Sequence, residues 1–383
     1  MPWKEIKPMD QRIHMIVDWE TLNLTITELS LKYNVSRKSV YKWISRYQQI
    51  GIDGLKELSR APINRPHKTS DEIIDLIIAQ KLQNRKRGPK KIHAILKQRH
   101  PDIEIPVPST VGYWLKKNGL VMPKKIRRRV PNYTEPFIAC KSPNAVWSAD
   151  FKGQFYMKNG KVCYPLTISD NYSRYLLACQ GFSGPRYKET RDVFEATFRE
   201  YGLPEAIRTD NGTPFAGKSA GALSRLSIWW IQLGVIPERI DKGCPEQNGR
   251  HERMHKTLKN EALDPVAFDI KEQQKQFDLF RMEFNYNRPH EAFNQQMPAQ
   301  HYQKSTRPYV ENPPKPCYDY SFTVRKVKHK GEIKFKARTY YLTQLLAGQH
   351  IGLNQINDDQ WKIYYYFQPI AIMDLRKNKL IKI

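Results

Sequence analysis

Three carboxylates stand where cation chemistry could be done. Asp150 lies in Val146-Trp-Ser-Ala-Asp150-Phe, Asp210 in Arg208-Thr-Asp210-Asn-Gly, and Glu246 follows Gly243-Cys-Pro245. An acid inside an apolar run, as Asp150 is, costs free energy to bury unless it is paired or binds a metal. Asp210 ends a short strand-like run, and the Asn211-Gly212 pair after it turns the chain sharply. Pro245 suits a first helical position, so 246–259 reads as a helix. Glu246, Arg250 and Arg253 then share one face, with Met254 and Leu258 toward a core. Carboxylates flanked by arginines suit a site that holds cations and a polyanion together. Two Mg²⁺ ions about 3.5–4 Å apart can stabilise the attacking and leaving oxygens of a phosphodiester. Mg²⁺ takes oxygen ligands and keeps several waters, so few carboxylates are enough.

Each acid also has an ordinary role open to it. Asp150 could pair with Lys152 or a core arginine, Asp210 could hold the Asn-Gly turn, and Glu246 could be a helix N-terminal acid. Asp170, in Ser169-Asp-Asn-Tyr-Ser-Arg174, is a rival ligand, although Asx-turn capping at a hairpin is its ordinary use. His251, His255 and His290 could be ligands but lack a Cys/His set for zinc.

These residues need elements to position them. From Asn144 the pattern predicts strands at 145–152, 161–169 and 174–181, a helix at 188–201 and a strand at 205–209. A helix at 219–233, a strand at 234–238, the helix carrying Glu246 and a last helix at 269–287 follow. Upstream, helices are expected at 11–19, after Thr27 as cap with Leu29 and Leu31 inward, and after Ser36 as cap. Short helix, tight turn and a helix exposing Arg37, Lys38, Lys42 and Arg46 form a helix-turn-helix pattern. A linker at 61–67 leads to a second helical unit: 71–84 capped by Thr69 or Ser70, 92–99, and a helix capped by Ser109. Lys90 and Lys91 stand in the basic turn of this unit. Lys124, Lys125, Arg127, Arg128 and Arg129 form a basic linker. After Pro316, short alternating runs separated by turns read as a small β-barrel, with Lys334, Lys336 and Arg338 on one face.

Thirty-five residues lie between Asp210 and Glu246. An Asp in W-x-x-D, an Asp in T-D-N-G and a Glu in P-E-Q-N-G-x-x-E-R at this spacing resemble the DDE transposases of the retroviral-integrase type. Bacterial insertion-sequence transposases with N-terminal helix-turn-helix domains are the nearest kind. Phe284-Asn-Tyr-Asn-Arg-Pro-His290 through Pro298 to Tyr302 is similar to the segment that closes the family's catalytic domain. The resemblance implies a multidomain protein with an α/β ribonuclease-H-like core. The segments would be a helix-turn-helix domain at 1–60, a second at 68–122, a basic linker at 123–137, the catalytic core at 138–305 and a β-barrel at 317–383. It further implies an Mg²⁺-dependent enzyme with two ions per site and Mn²⁺ as a substitute. Asp150 would bridge the ions, Asp210 would hold one and Glu246 the other. The implied activity is binding of terminal inverted repeats, cleavage of the ends and joining of the 3′-hydroxyl to target DNA, by a dimer or larger assembly on paired double-stranded ends. The alternative is an inert DNA-binding regulator of the same descent. Arg250, Arg253 and Lys256 would contact DNA beside the site.

Charge fits an acidic partner. The chain of 383 residues carries a formal +26, unevenly spread: residues 1–134 hold 27 Lys+Arg against 12 Asp+Glu, whereas residues 135–314 hold 24 against 21. Such a surplus attracts polyanions. Five cysteines without a C-x-x-C pair argue for a reducing, cytoplasmic setting. No apolar run approaches the roughly 18–20 residues that span a membrane, and no signal-peptide pattern opens the chain. Deletion of residues 1–60 is expected to weaken binding to specific DNA ends more than to random duplex, measured by competition at fixed salt. Equal losses would contradict that assignment.

Overall fold

A computed structural model describes residues 8–58, 68–121 and 137–382, apart from Lys218 and Lys242. The expected linker at 61–67 and the run Lys124, Lys125, Arg127, Arg128 and Arg129 lie outside the described residues. The chain divides into two compact units, Met1–Lys68 and Thr69–Ile383.

The first unit is α1 (Pro8–Leu22), α2 (Ile26–Lys32) and α3 (Arg37–Ile50). Met15, Ile16, Leu29, Val40, Trp43, Ile44 and Leu55 form its core. The cap of α2 is Thr25, not Thr27: its hydroxyl accepts from the Glu28 N–H while the Glu28 carboxylate accepts from the Thr25 N–H. This reciprocal pair satisfies two donors at once. Leu29 is buried but Leu31 is 77% exposed, because positions two apart on a helix point to nearly opposite sides. Ser36 caps α3 as expected.

In the second unit, α4 (Asp71–Gln83), α5 (Pro89–Arg99) and α6 (Pro108–Lys117) pack around Ile77, Ile92, Leu96, Val111 and Leu115. Ser70 caps α4. The expected Ser109 cap is not made; α6 starts on Pro108 without a side-chain cap, where a missing N–H goes unneeded.

The sheet that follows holds β1 (Val146–Phe151), β2 (Phe155–Tyr156), β3 (Val162–Asp170), β4 (Leu176–Phe182), β5 (Ala206–Thr209) and β6 (Ile236–Arg239). β1, β3 and β4 run antiparallel; β5 joins β1 in parallel and β6 joins β5 in parallel. Helices α7 (Tyr187–Tyr201), α8 (Arg225–Gln232), α9 (Gly249–Glu261) and α10 (Ile270–Met282) complete this part. One core sets Trp147, Ile168 and Ile207 of the sheet against Phe194, Phe198 and Trp230. Another sets Leu176 and Cys179 against Met254, Leu258 and Phe277. Three antiparallel strands followed by alternating parallel strands and helices is the expected order.

The C-terminal strands are β7 (Thr323–Lys326), β8 (Glu332–Phe335), β9 (Arg338–Tyr341), β10 (His350–Gln355), β11 (Gln360–Tyr365), β12 (Gln368–Asp374) and β13 (Lys379–Lys382). They form a five-stranded antiparallel sheet, β13-β12-β11-β10-β7, and a separate β8–β9 hairpin. Among the described residues these sheets do not close into a barrel. Alternation dictates strands but not closure, which needs matched tilt and shear. Lys336 does not continue the β8 face: it sits with Ala337 in the turn, both at positive φ. A two-residue hairpin turn needs that backbone, so only Lys334 of the three is in β8.

This sheet shares its core with α8 and the segment before it. Ala220, Leu223, Ile228 and Ile231 pack with Val327, Leu346, Ile351, Ile363 and Tyr365, and the Gln232 amide donates to the Tyr365 hydroxyl at 2.8 Å. Ile231→Ala is therefore expected to cost about 2–5 kcal/mol and to lower one calorimetric transition in which residues 138–383 melt together. Separate transitions for this sheet and the β1–β6 sheet would contradict the shared core.

Candidate active site

Asp150 sits near the end of β1, opposite Thr167 of β3 in the register, with its side chain 19% exposed. Burial, the neighbouring Asp210 and, more weakly, Glu252 push its carboxyl up from 3.8 to about 7, against a hydrogen bond from the Phe151 backbone. Asp210 follows β5. Its Oδ1 accepts the Gly212 N–H at 3.0 Å, so the carboxylate does brace the Asn-Gly turn. A Cβ on Gly212 would stand 2.9 Å from Asp210 Oδ2, which explains the glycine. Asn211 donates to the Ile240 carbonyl at 2.7 Å, tying this loop to the end of β6.

Asp150 and Asp210 line one pocket of about 470 Å³, together with Asn211, Gly212, Asp241, Asn248 and Glu252. Glu246 is not on its wall. It is exposed on the single turn Pro245–Asn248, and α9 proper starts only at Gly249. Gln247, the next residue, turns inward and exchanges hydrogen bonds with Asp241 at 2.6 and 2.8 Å. The acid that α9 brings to the pocket is Glu252, in its first turn. The sequence held a weak signal for it: Asn248-Gly249 marks a break in the pattern, and α9 starts on the glycine of that pair.

The helix is pinned from beneath. His251 and His255 are buried, and both Nε2 atoms lie 2.7 Å from the Thr167 hydroxyl. His251 Nδ1 is 3.0 Å from the Ser169 hydroxyl, and His255 Nδ1 is 3.8 Å from Asp150 Oδ2. Burial and then Lys152 push His255 down to about 3, and burial and then His255 lower His251. Both imidazoles are neutral at pH 7. They read as props between α9 and β3, a role that spacing alone did not suggest. Among the described residues no three His, Cys, Asp or Glu side chains stand close enough to form a ready metal cage.

Asp170 is a turn residue. It accepts from the Asn144 N–H at 2.9 Å and from the Ser173 N–H and hydroxyl at 2.7 and 2.5 Å. Of the expected DNA contacts, Arg37, Lys38 and Lys42 are exposed on α3, whereas Arg46 is half-buried with its guanidinium 5.1 Å over the Trp43 ring. Lys90 pairs with Glu291 at 2.6 Å. Lys91 is half-buried and lies with Arg250 and Arg253 around a second pocket. Lys256 is exposed on α9, one turn beyond Glu252.

Two family models described as integrase core domain match residues 141–245 and 233–298. A helix-turn-helix domain model matches 11–63 and a homeodomain-like domain model 39–115. The chain carries an integrase core behind helix-turn-helix domains. Its curated relatives are insertion-element proteins. An uncharacterized 31.7 kDa protein of insertion element IS407 from Burkholderia multivorans is 24% identical over 251 residues, 63% of this chain and 86% of the relative. The transposase for insertion sequence element IS904 of Lactococcus lactis is 27% identical over 172 residues, 44% of this chain and 65% of the relative. The chain thus spans just under two thirds of that transposase. Among solved structures, the HTLV-2 integrase catalytic core domain in complex with magnesium aligns with 43% of this chain and 99% of its own, at 16% identity and a TM-score of 0.34. The strand order of the integrase core rests on the hydrogen-bond registers above and not on that overlap. No helix among the described residues is long and apolar enough to cross a membrane.

Between about pH 4 and about pH 7 the folded chain holds a proton on Asp150 that the unfolded chain has released, so this group's contribution to stability falls as pH rises through that window. In chelator, Asp150→Asn is expected to gain stability over the parent as pH is raised through the window, read from urea melts. A difference independent of pH would contradict the burial of an uncompensated carboxylate.

Proposed function

We propose that the chain is a DNA transposase in which Asp150, Asp210 and Glu252 act together on phosphodiesters. It would bind terminal inverted repeats as a multimer on paired ends, cleave them and join the freed 3′-hydroxyl to target DNA. The observation that carries this reading is the shared pocket: a strand, a loop and a helix far apart in sequence each deliver one carboxylate to it.

The donor chemistry of these residues suits divalent cations, although they do not stand as a ready cage. The carboxylates are hard oxygen donors of the kind Mg²⁺ prefers, and burial together with the neighbouring Asp210 raises Asp150, a cost that a cation would relieve. Asp150, Asp210 and Glu252 would hold the cations. Bound there, the cations would activate a water or a 3′-hydroxyl and stabilise the leaving oxygen. The chain's own residues set the stage. Thr167, His251 and His255 fix the height of α9 over β3, so Glu252 enters the pocket at a defined place. The Gly212 N–H orients the Asp210 carboxylate. Lys256 and Lys259 follow Glu252 on the same side of α9 and are placed to meet phosphates. Glu246 precedes α9 and does not line the pocket, so this reading gives it no part in the reaction.

Asp150→Asn, Asp210→Asn and Glu252→Gln are each expected to reduce end cleavage and strand transfer to background while duplex binding by gel shift is kept. Glu246→Gln is expected to keep activity. An inactive Glu246→Gln beside an active Glu252→Gln would overturn the assignment, and activity in all of the first three would overturn the reaction.

A further inference from the structure

Helix α9 has a second working face. At 100° per residue, Arg250, Arg253, Met254 and Thr257 lie together on the side opposite Glu252. They line a separate pocket of about 300 Å³, closed by Lys91 of α5 and by Arg174, Phe284, Arg288 and His290. It is built within the second unit by a helical segment and the integrase core, held together by Arg87–Glu283 and Lys90–Glu291 ion pairs.

The rim of this pocket is strongly cationic. Arg288 pairs with Glu261, and Arg174 and Arg250 both donate to the Asn171 carbonyl, at 2.6 and 3.3 Å. Among the described residues none of Lys91, Arg174, Arg250 and Arg253 makes an ion pair with a carboxylate. The acids nearby are engaged elsewhere, Asp170 with turn donors and Glu291 with Lys90. Burial and then Arg288 lower Lys91 to about 8, and burial and then Arg250 lower Arg174 to about 10. The floor has a different character. Phe284 and Met254 are buried there, and the His290 ring meets Phe284 edge-on at 4.9 Å. His290 Nε2 is buried with no hydrogen-bond partner. Ala292 stands exposed at the mouth.

We propose that this pocket takes one unstacked nucleotide of a DNA strand, its phosphate on the Lys91, Arg174, Arg250 and Arg253 rim and its base on the Phe284 and Met254 floor. A cationic rim alone would suit any phosphate; the apolar floor and the unpartnered imidazole nitrogen suit a base. An extruded base pays unstacking and recovers it in such a pocket. That the nucleotide comes from a DNA strand rests on the function proposed above; the capacity for a nucleoside monophosphate does not. One helix would then read the reacting phosphodiester on one face and an unpaired neighbour on the other.

The test is calorimetric titration of the full chain with thymidine 5′-monophosphate, inorganic phosphate and thymidine, in chelator so that cations in the acidic pocket play no part. The monophosphate is expected to bind about ten- to hundredfold more tightly than inorganic phosphate, the range that base stacking supplies. Arg250→Ala with Arg253→Ala, both at exposed positions, is expected to weaken it at least about tenfold. Ala292→Trp, which fills the mouth without removing charge, is expected to abolish it. Equal affinity for inorganic phosphate, no binding of the monophosphate, or unchanged binding in both variants would each overturn the proposal. Strand transfer by the parent alongside any of those results would leave the acidic site standing and this pocket refuted.

Discussion

Burial of Asp150 next to a second carboxylate is the constraint on which the pocket depends. A half-buried Asp150 beside Asp210 and Glu252 is unfavourable by itself, since each charge raises the free energy of the others. The fold accepts that penalty because apolar packing elsewhere is extensive. Trp147, Phe194, Phe198 and Trp230 hold the sheet and its helices, and Met254 and Leu258 hold α9 from below. The acids thereby meet at a common pocket, and under the proposed function their charge would attract hard cations.

Positioning depends on α9. Its buried side reaches β3 through two neutral histidines that share the Thr167 hydroxyl, a polar contact inside an otherwise apolar seam. Because the hydrogen bonds are directional, they set rotation as well as height. Rotation decides which residues face where: Glu252 toward the acidic pocket, Arg250 and Arg253 away from it. The loop before the helix is set by other means, through Gln247 on Asp241 and Asn211 on Ile240. The C-terminal sheet supports the arrangement more remotely, by sharing a core with α8 and the segment before it.

Much of this was legible from residue types. The apolar runs read as strands at 145–152, 161–169 and 174–181 and the turn at Asn211-Gly212 set Asp150 in a strand and Asp210 at a turn without coordinates. Under the function proposed above, the third acid is Glu252 rather than the Glu246 that spacing selects. A fixed count from Asp210 selects Glu246, but the number of residues in the connecting loop is not fixed by chemistry; the start of α9 is. Gly243, Pro245 and Asn248-Gly249 spend six residues on turns before the helix begins, and the acid one turn inside it is Glu252. The caps show the same effect in small. Thr25 won over Thr27 because only Thr25 has a glutamate three residues on, and Pro108 made the Ser109 cap unnecessary. Alternation in 323–382 revealed strands, yet whether their edges meet depends on shear, which no local pattern encodes.

The most direct test of the central claim is cation binding itself, followed by the paramagnetic resonance of Mn²⁺ titrated into the full chain without DNA. Tight binding that is lost on Asp150→Asn, Asp210→Asn or Glu252→Gln and retained in Glu246→Gln is the result expected of one shared pocket. Binding that survives Glu252→Gln but disappears with Glu246→Gln would contradict it.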